Sequence, residues 1–242
     1  MQIRTTVIAL ILSVAPISGL AGELYRLRVD IDGDGKQEAI QVATFPAREE
    51  WRSRVVVKIG SEKYSTEFFS AESDLPDIRV VSIDRQRPQR QLLLGTPEAG
   101  TCIYHLLAYA GHKLLPVLNF DSGPDCKAPQ PLGNGRVSVS TWQGFWAKEN
   151  RYRLNNEGTA LVKEQAVTYD VGAAGVVGKT FSLQDAECPA KWIQPGAFVR
   201  VKLYDSVGER YRVEDTDGSC GWIPAADMNS IDSLIKELPW AG

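Results

Sequence analysis

Histidine is scarce in this chain, and so are cysteine and methionine. Among 242 residues there are two histidines, His105 and His112, four cysteines and two methionines. That leaves little material for a histidine-built metal centre or proton relay. No H-E-x-x-H, G-x-S-x-G or glycine-rich phosphate loop occurs. Basic excess is also absent. The 27 basic and 30 acidic residues give a net charge of −3, which provides no electrostatic footprint for nucleic acid. No apolar run approaches the ~20 residues that span a bilayer as a helix. The hydrophobic and charged shares, 43% and 24%, exclude a long disordered chain, a collagen and a multi-span membrane protein.

The first residues predict export. Arg4 precedes an apolar stretch from Val7 to Ile17, followed by the small-x-small step Gly19-Leu20-Ala21. This is the tripartite pattern of a secretory signal over residues 1–21, with cleavage after Ala21. No cysteine near the cut could carry a lipid. The expected location is a periplasm or the exterior, without a membrane span. Four cysteines suit such an oxidising compartment.

Short alternating runs rich in Val, Ile, Leu, Tyr and Thr dominate, separated by turn clusters of Gly, Pro, Asp and Asn. They predict an all-β chain. A shift of 52 residues lays Val29-Asp30-Ile31-Asp32 on Val81-Ser82-Ile83-Asp84, and Ile40 and Val42 on Leu92 and Leu94. A period near 50 suits a four-stranded unit of the kind that builds propeller blades, and residues 22–168 have room for three. Three units would form a partial propeller or a sandwich-like packing. The small, glycine-rich run 169–178 reads as a connector. A second strand-rich module follows over 179–228. The tail 229–242 has Ile231, Leu234, Ile235 and Leu238 at helical spacing, which predicts a short C-terminal helix. Four cysteines allow three connectivities. Nearest-neighbour pairing, Cys102–Cys126 and Cys188–Cys220, keeps each bridge inside one module.

The most informative segment is Asp30-Ile31-Asp32-Gly33-Asp34-Gly35-Lys36-Gln37-Glu38. Carboxylates at positions 1, 3, 5 and 9 form a hard oxygen set, which suits calcium rather than zinc or copper. Two unit charges 4 Å apart repel by about 4 kcal/mol at an effective dielectric near 20, so inward-folded acids call for a cation between them. β-like runs flank the loop and its twelfth position is Gln41, unlike the helix–loop–helix calcium motif. The segment resembles the D-x-D-G-D-G-x-x-[DE] loops of FG-GAP/VCBS repeats. That resemblance implies Ca²⁺ held by Asp30, Asp32, Asp34, the Lys36 carbonyl and Glu38. One repeat later, Ser82-Ile83-Asp84-Arg85-Gln86-Arg87-Pro88-Gln89-Arg90 lacks most of the acids and reads as a degenerate turn; a cationic patch is the sharper alternative.

The second module carries Lys191-Trp192-Ile193-Gln194-Pro195-Gly196, Arg210-Tyr211-Arg212-Val213 and the closing run Asp217-Gly218-Ser219-Cys220-Gly221-Trp222-Ile223-Pro224. It resembles bacterial SH3-like (SH3b) domains. The resemblance implies a small barrel and a peptide or peptidoglycan surface, expected at Tyr204, Tyr211, Trp222 and Pro224. The cluster Trp142-Gln143-Gly144-Phe145-Trp146 could stack on sugars or pack against a sheet. Glu49 and Glu50, adjacent on a strand, point to opposite faces and make a poor pair for glycoside hydrolysis.

Together these features predict a non-enzymatic, exported, calcium-stabilised protein that recognises a protein, peptide or cell-wall ligand. The alternatives are a wall-remodelling hydrolase and an envelope inhibitor or immunity protein for a secreted toxin. The sequence does not specify the oligomeric state.

Overall fold

The computed structural model describes residues 24–47, 50–59, 61–70, 76–98, 100–110, 112–228 and 233–239. The expected signal segment and Glu49 lie outside them, as does the side chain of Glu50. The architecture is all-β, with no helix of seven or more residues among the described residues. No described helix is long and apolar enough to cross a membrane.

Strands β1 (Leu24–Val29), β2 (Glu38–Ala47), β3 (Glu50–Ile59) and β4 (Glu62–Ser70) form a first four-stranded antiparallel sheet in chain order. A second sheet repeats the pattern with β5 (Asp77–Val81), β6 (Gln91–Glu98), β7 (Thr101–Ala110) and β8 (Lys113–Asp121). The third comprises β9 (Gln130–Pro131), β10 (Arg136–Trp142), β11 (Ala147–Leu154) and β12 (Leu161–Lys163). One core joins the first two sheets, with Ile40, Val42 and Val55 against Leu92, Leu94 and Leu107. Another joins the second and third, with Leu93, Leu106 and Val117 against Val137 and Val139. The second sheet therefore has apolar side chains on both faces, and Gln91 to Thr96 are buried without alternation.

This double burial shifts the apparent repeat. Residue Ile31 donates its N–H to Glu38 Oε2 (2.8 Å), seven residues on. Ile83 donates to Gln91 Oε1 (3.1 Å), eight residues on. The second loop thus holds one extra residue, and Gln91, not Arg90, takes the place of Glu38. Ile40 then corresponds to Leu93, not Leu92. A one-residue slip moves every side chain to the other face of a strand, and in β6 both faces are apolar, so the sequence could not reveal it.

The remainder is a half-barrel. Its five-stranded sheet runs β18 (Cys220–Pro224), β17 (Arg210–Asp215), β16 (Phe198–Asp205), β13 (Thr168–Val177), β19 (Ile235–Lys236). The hairpin β14 (Phe181–Asp185) and β15 (Cys188–Ile193) packs across it. Two expectations are corrected here. The run read as a connector is strand β13, paired with β16 from Thr168 to Val176. Its small residues serve close approach: a Cβ on Gly175 would lie 2.5 Å from the Lys236 carbonyl oxygen. The tail read as a helix forms strand β19 on β13 at Ile235–Lys236, burying Ile235 and Leu238; residues 229–232 lie outside the described set.

Both disulfides form as the nearest-neighbour reading expected. Cys102–Cys126 ties β7 to the segment before the third sheet, and Cys188–Cys220 ties β15 to β18. Their Cα atoms lie 4.9 and 5.4 Å apart. Such bridges fit an oxidising, non-cytoplasmic compartment.

Candidate functional sites

The β1–β2 loop is organised by its own carboxylates. Asp30 Oδ1 and Oδ2 accept the N–H groups of Gly33 (2.7 Å) and Gly35 (3.0 Å). Glu38, only 4% exposed, caps Ile31 from below. Gly33 has φ +81, and a Cβ there would lie 2.5 Å from Pro88 of the next loop, so both its conformation and its packing require glycine. The result is a cluster in which one oxygen each of Asp30, Asp32 and Glu38 lies within 4.8 Å of the others. Ligands bound 2.3–2.6 Å from one Ca²⁺ are separated by at most about 5 Å, so the spread fits one such ion. The donors are all carboxylate oxygens, which suits a hard cation.

Asp34 does not join this cluster. Its Oδ1 accepts the Lys36 N–H (2.8 Å) and its Oδ2 pairs with Lys36 Nζ (3.0 Å). The backbone bond foremost, then the lysine contact, holds the Asp34 carboxyl below the usual range, and the Asp34 carboxylate raises the Lys36 ammonium. Of the five expected ligands, three carboxylates are gathered and a fourth is turned to a lysine.

Successive loops are stitched together. The Ile31 carbonyl accepts the Arg90 N–H and the Ile83 carbonyl accepts the Gly135 N–H, both at 2.9 Å. The arginine-rich second loop is neither a free turn nor an open cationic patch. Arg87 pairs with Asp84 (3.3 Å) and donates to the Asn156 carbonyl (2.9 Å) in the third unit. The first two loops, the end of β7 and the β11–β12 turn line one cleft, with Asp32, Arg87, Gln91, Tyr109, Asn156 and Glu157 on its walls.

The half-barrel splits the four residues expected to share a recognition surface. Strand alternation places Tyr211 inward and Arg210 and Arg212 outward on β17. Tyr211 is 3% exposed and accepts a hydrogen bond from Trp146 Nε1 (3.2 Å). Tyr204 pairs with it across the strands and lies against the Trp146 ring, with centroids 5.7 Å apart. The aromatic inner face is therefore occupied by the chain's own β10–β11 turn, since Phe145 and Trp146 are both buried in the barrel core. The turn does not form a free sugar platform. Trp222 and Pro224 lie on the opposite, outer face, where the Arg210 guanidinium stacks 4.6 Å over the Trp222 ring. Sequence reasoning missed Arg210 and the exposed Trp192; the register supplies the first and nothing local marks the second.

The histidines are not partners. His105 is buried on Phe68, with Nδ1 3.0 Å from Asn119 Oδ1, while His112 meets the hydroxyls of Tyr64 and Tyr109.

Compared with family models, curated proteins and solved structures, the chain matches none.

Proposed function

We propose that the chain is an exported, non-enzymatic binding protein built from FG-GAP/VCBS-like units and an SH3-like barrel, with one structural Ca²⁺ in its first loop. The observation that carries the reading is the convergence of Asp30, Asp32 and Glu38 on one point beside the junction of two sheets. A cation there would relieve the mutual repulsion of the three acids and fix the loop that accepts the Arg90 N–H. Asp34 and the Lys36 carbonyl complete the ligand set of the resembled motif. In this reading Asp34 exchanges its lysine for the ion. The two disulfides support the compartment.

Recognition falls to the outer barrel face. Trp222, its stacked Arg210 and the exposed Pro224 offer an apolar strip with a charge beside it, suited to an extended peptide or a cell-wall peptide.

The test is thermal unfolding with excess calcium and with a chelator. Calcium should raise the melting temperature of the native chain, and Asp32→Ala should abolish the difference. Identical curves for the native chain under both conditions would refute the site.

A further inference from the structure

The cleft lined by the first two loops, the end of β7 and the β11–β12 turn has a volume of about 420 Å³. One water takes about 30 Å³ in the liquid, and small-molecule sites begin near roughly 300 Å³. The most buried of its polar side chains is Gln91, at the start of β6 and 3% exposed. Gln91 Oε1 accepts the Ile83 N–H (3.1 Å), which fixes which end of the amide is oxygen. The other end, Nε2, has no hydrogen-bond partner among the described residues. A buried donor without an acceptor is costly, so the cleft holds a place for a group that accepts from Nε2.

Around that donor the walls are mixed. Gln89 and Asn156 bring two further side-chain amides, also without partners among the described residues. Asp32 and Glu157 bring carboxylates, and Tyr109 a partly buried ring. The one guanidinium, on Arg87, is already engaged by the Asp84 carboxylate (3.3 Å) and the Asn156 carbonyl (2.9 Å). Two carboxylates beside a single paired cation disfavour an anionic ligand. A bare cation has no acceptor for Gln91 Nε2. An extended peptide is held by a free strand edge, and β6, β7 and β11 are each flanked by partner strands on both sides. A hydroxyl both donates and accepts, so a ligand carrying several of them serves the amides and the carboxylates together.

We propose that this cleft binds a neutral glycan. Gln91 Nε2 donates to one sugar hydroxyl, Gln89 and Asn156 take neighbouring ones, Asp32 and Glu157 accept from hydroxyls on the opposite side, and the Tyr109 ring meets the apolar C–H face. The site draws on the second and third units at once, so it exists only in the assembled stack. It is separate from the outer barrel face. Gln91, Gln89 and Asn156 lie outside the first loop and carry the argument, so the proposal also stands apart from the calcium reading.

The experiment is an array of neutral glycans (hexose and N-acetylhexosamine oligomers) with acidic glycans and extended peptides printed beside them, followed by calorimetry with the best-retained neutral oligomer. Retention of neutral glycans is expected. Gln91→Glu keeps an oxygen for the Ile83 N–H, as Glu38 does for Ile31, and removes the donor; it should weaken binding by about tenfold, the worth of one hydrogen bond. Asn156→Ala truncates a side chain on an exposed turn and leaves its carbonyl for Arg87, so it tests the site without touching the core; it should weaken binding by a similar factor. Gln184→Ala, on the barrel hairpin, should bind as the native chain does, and melting curves confirm that each variant is folded. The proposal is overturned if no neutral glycan is retained, if acidic glycans or peptides are retained in their place, or if folded Gln91→Glu and Asn156→Ala chains bind the neutral oligomer as tightly as the native chain.

Discussion

Glu38 and Gln91 hold equivalent places in successive sheets, and each accepts a backbone N–H from an isoleucine. They differ in charge, and that difference decides what each loop can do. The carboxylate leaves the first loop with a buried acid beside Asp30 and Asp32. The neutral amide, in a loop that keeps Asp84 among arginines, leaves no such cage. The acids were legible from their spacing alone, whereas the exchange of Glu38 for Gln91 was not, because one inserted residue displaced the alignment. A second residue-scale consequence concerns His105. Burial holds its imidazole below the ordinary value of 6.5, against the opposing effect of its bond to Asn119. The unfolded chain then takes up a proton at higher pH than the folded chain does. Stability is therefore full above pH 6.5 and declines as pH falls below it. The carboxyls of Asp215 and Asp217, lowered chiefly by Lys191, lose their contribution only below the ordinary carboxylate value of 3.8, so the two windows separate. Chemical denaturation from pH 7 to roughly pH 5 should show the decline, and His105→Leu should flatten it. A native chain with constant stability over that range would contradict the assignment.

Elements were legible where one face meets water and the other a core, and less so elsewhere. Alternation marked most strands of the outer sheets. It failed in β6, buried on both sides, and in β13, where glycine and alanine let the Lys236 backbone approach. The tail strand β19 has apolar spacing that suits a helix equally well, and pairing to β13 decides between them. The β10–β11 turn is the clearest case of context overriding local pattern. Its aromatics could have stacked on a ligand, but tertiary packing sends Phe145 and Trp146 into the half-barrel. Trp146→Ala should therefore cost about 3–5 kcal/mol in urea unfolding, the range for truncating a buried aromatic. Trp146→Phe, which loses chiefly the bond to Tyr211, should cost only about 1 kcal/mol. A Trp146→Ala variant as stable as the native chain would place that ring outside the core.

At the scale of the whole molecule, three sheets and a half-barrel are stacked so that each unit borrows its neighbour's surface. The first sheet leans on the second, the second on the third, and the third inserts an aromatic turn into the barrel. The disulfides were legible because each joins sequence neighbours within one region, and the all-β class because strand signals recur throughout. The stack ends on the outer barrel face, and the surface proposed for recognition lies there. The acidic loop sits where the first two sheets meet, so an ion bound there would fix their relation. The most direct test of that claim is calorimetric titration of the folded chain with calcium. The account predicts saturable heat from one site with a dissociation constant of about 10⁻⁴–10⁻³ M, the range of exported calcium modules. A trace indistinguishable from dilution throughout the millimolar range would contradict it.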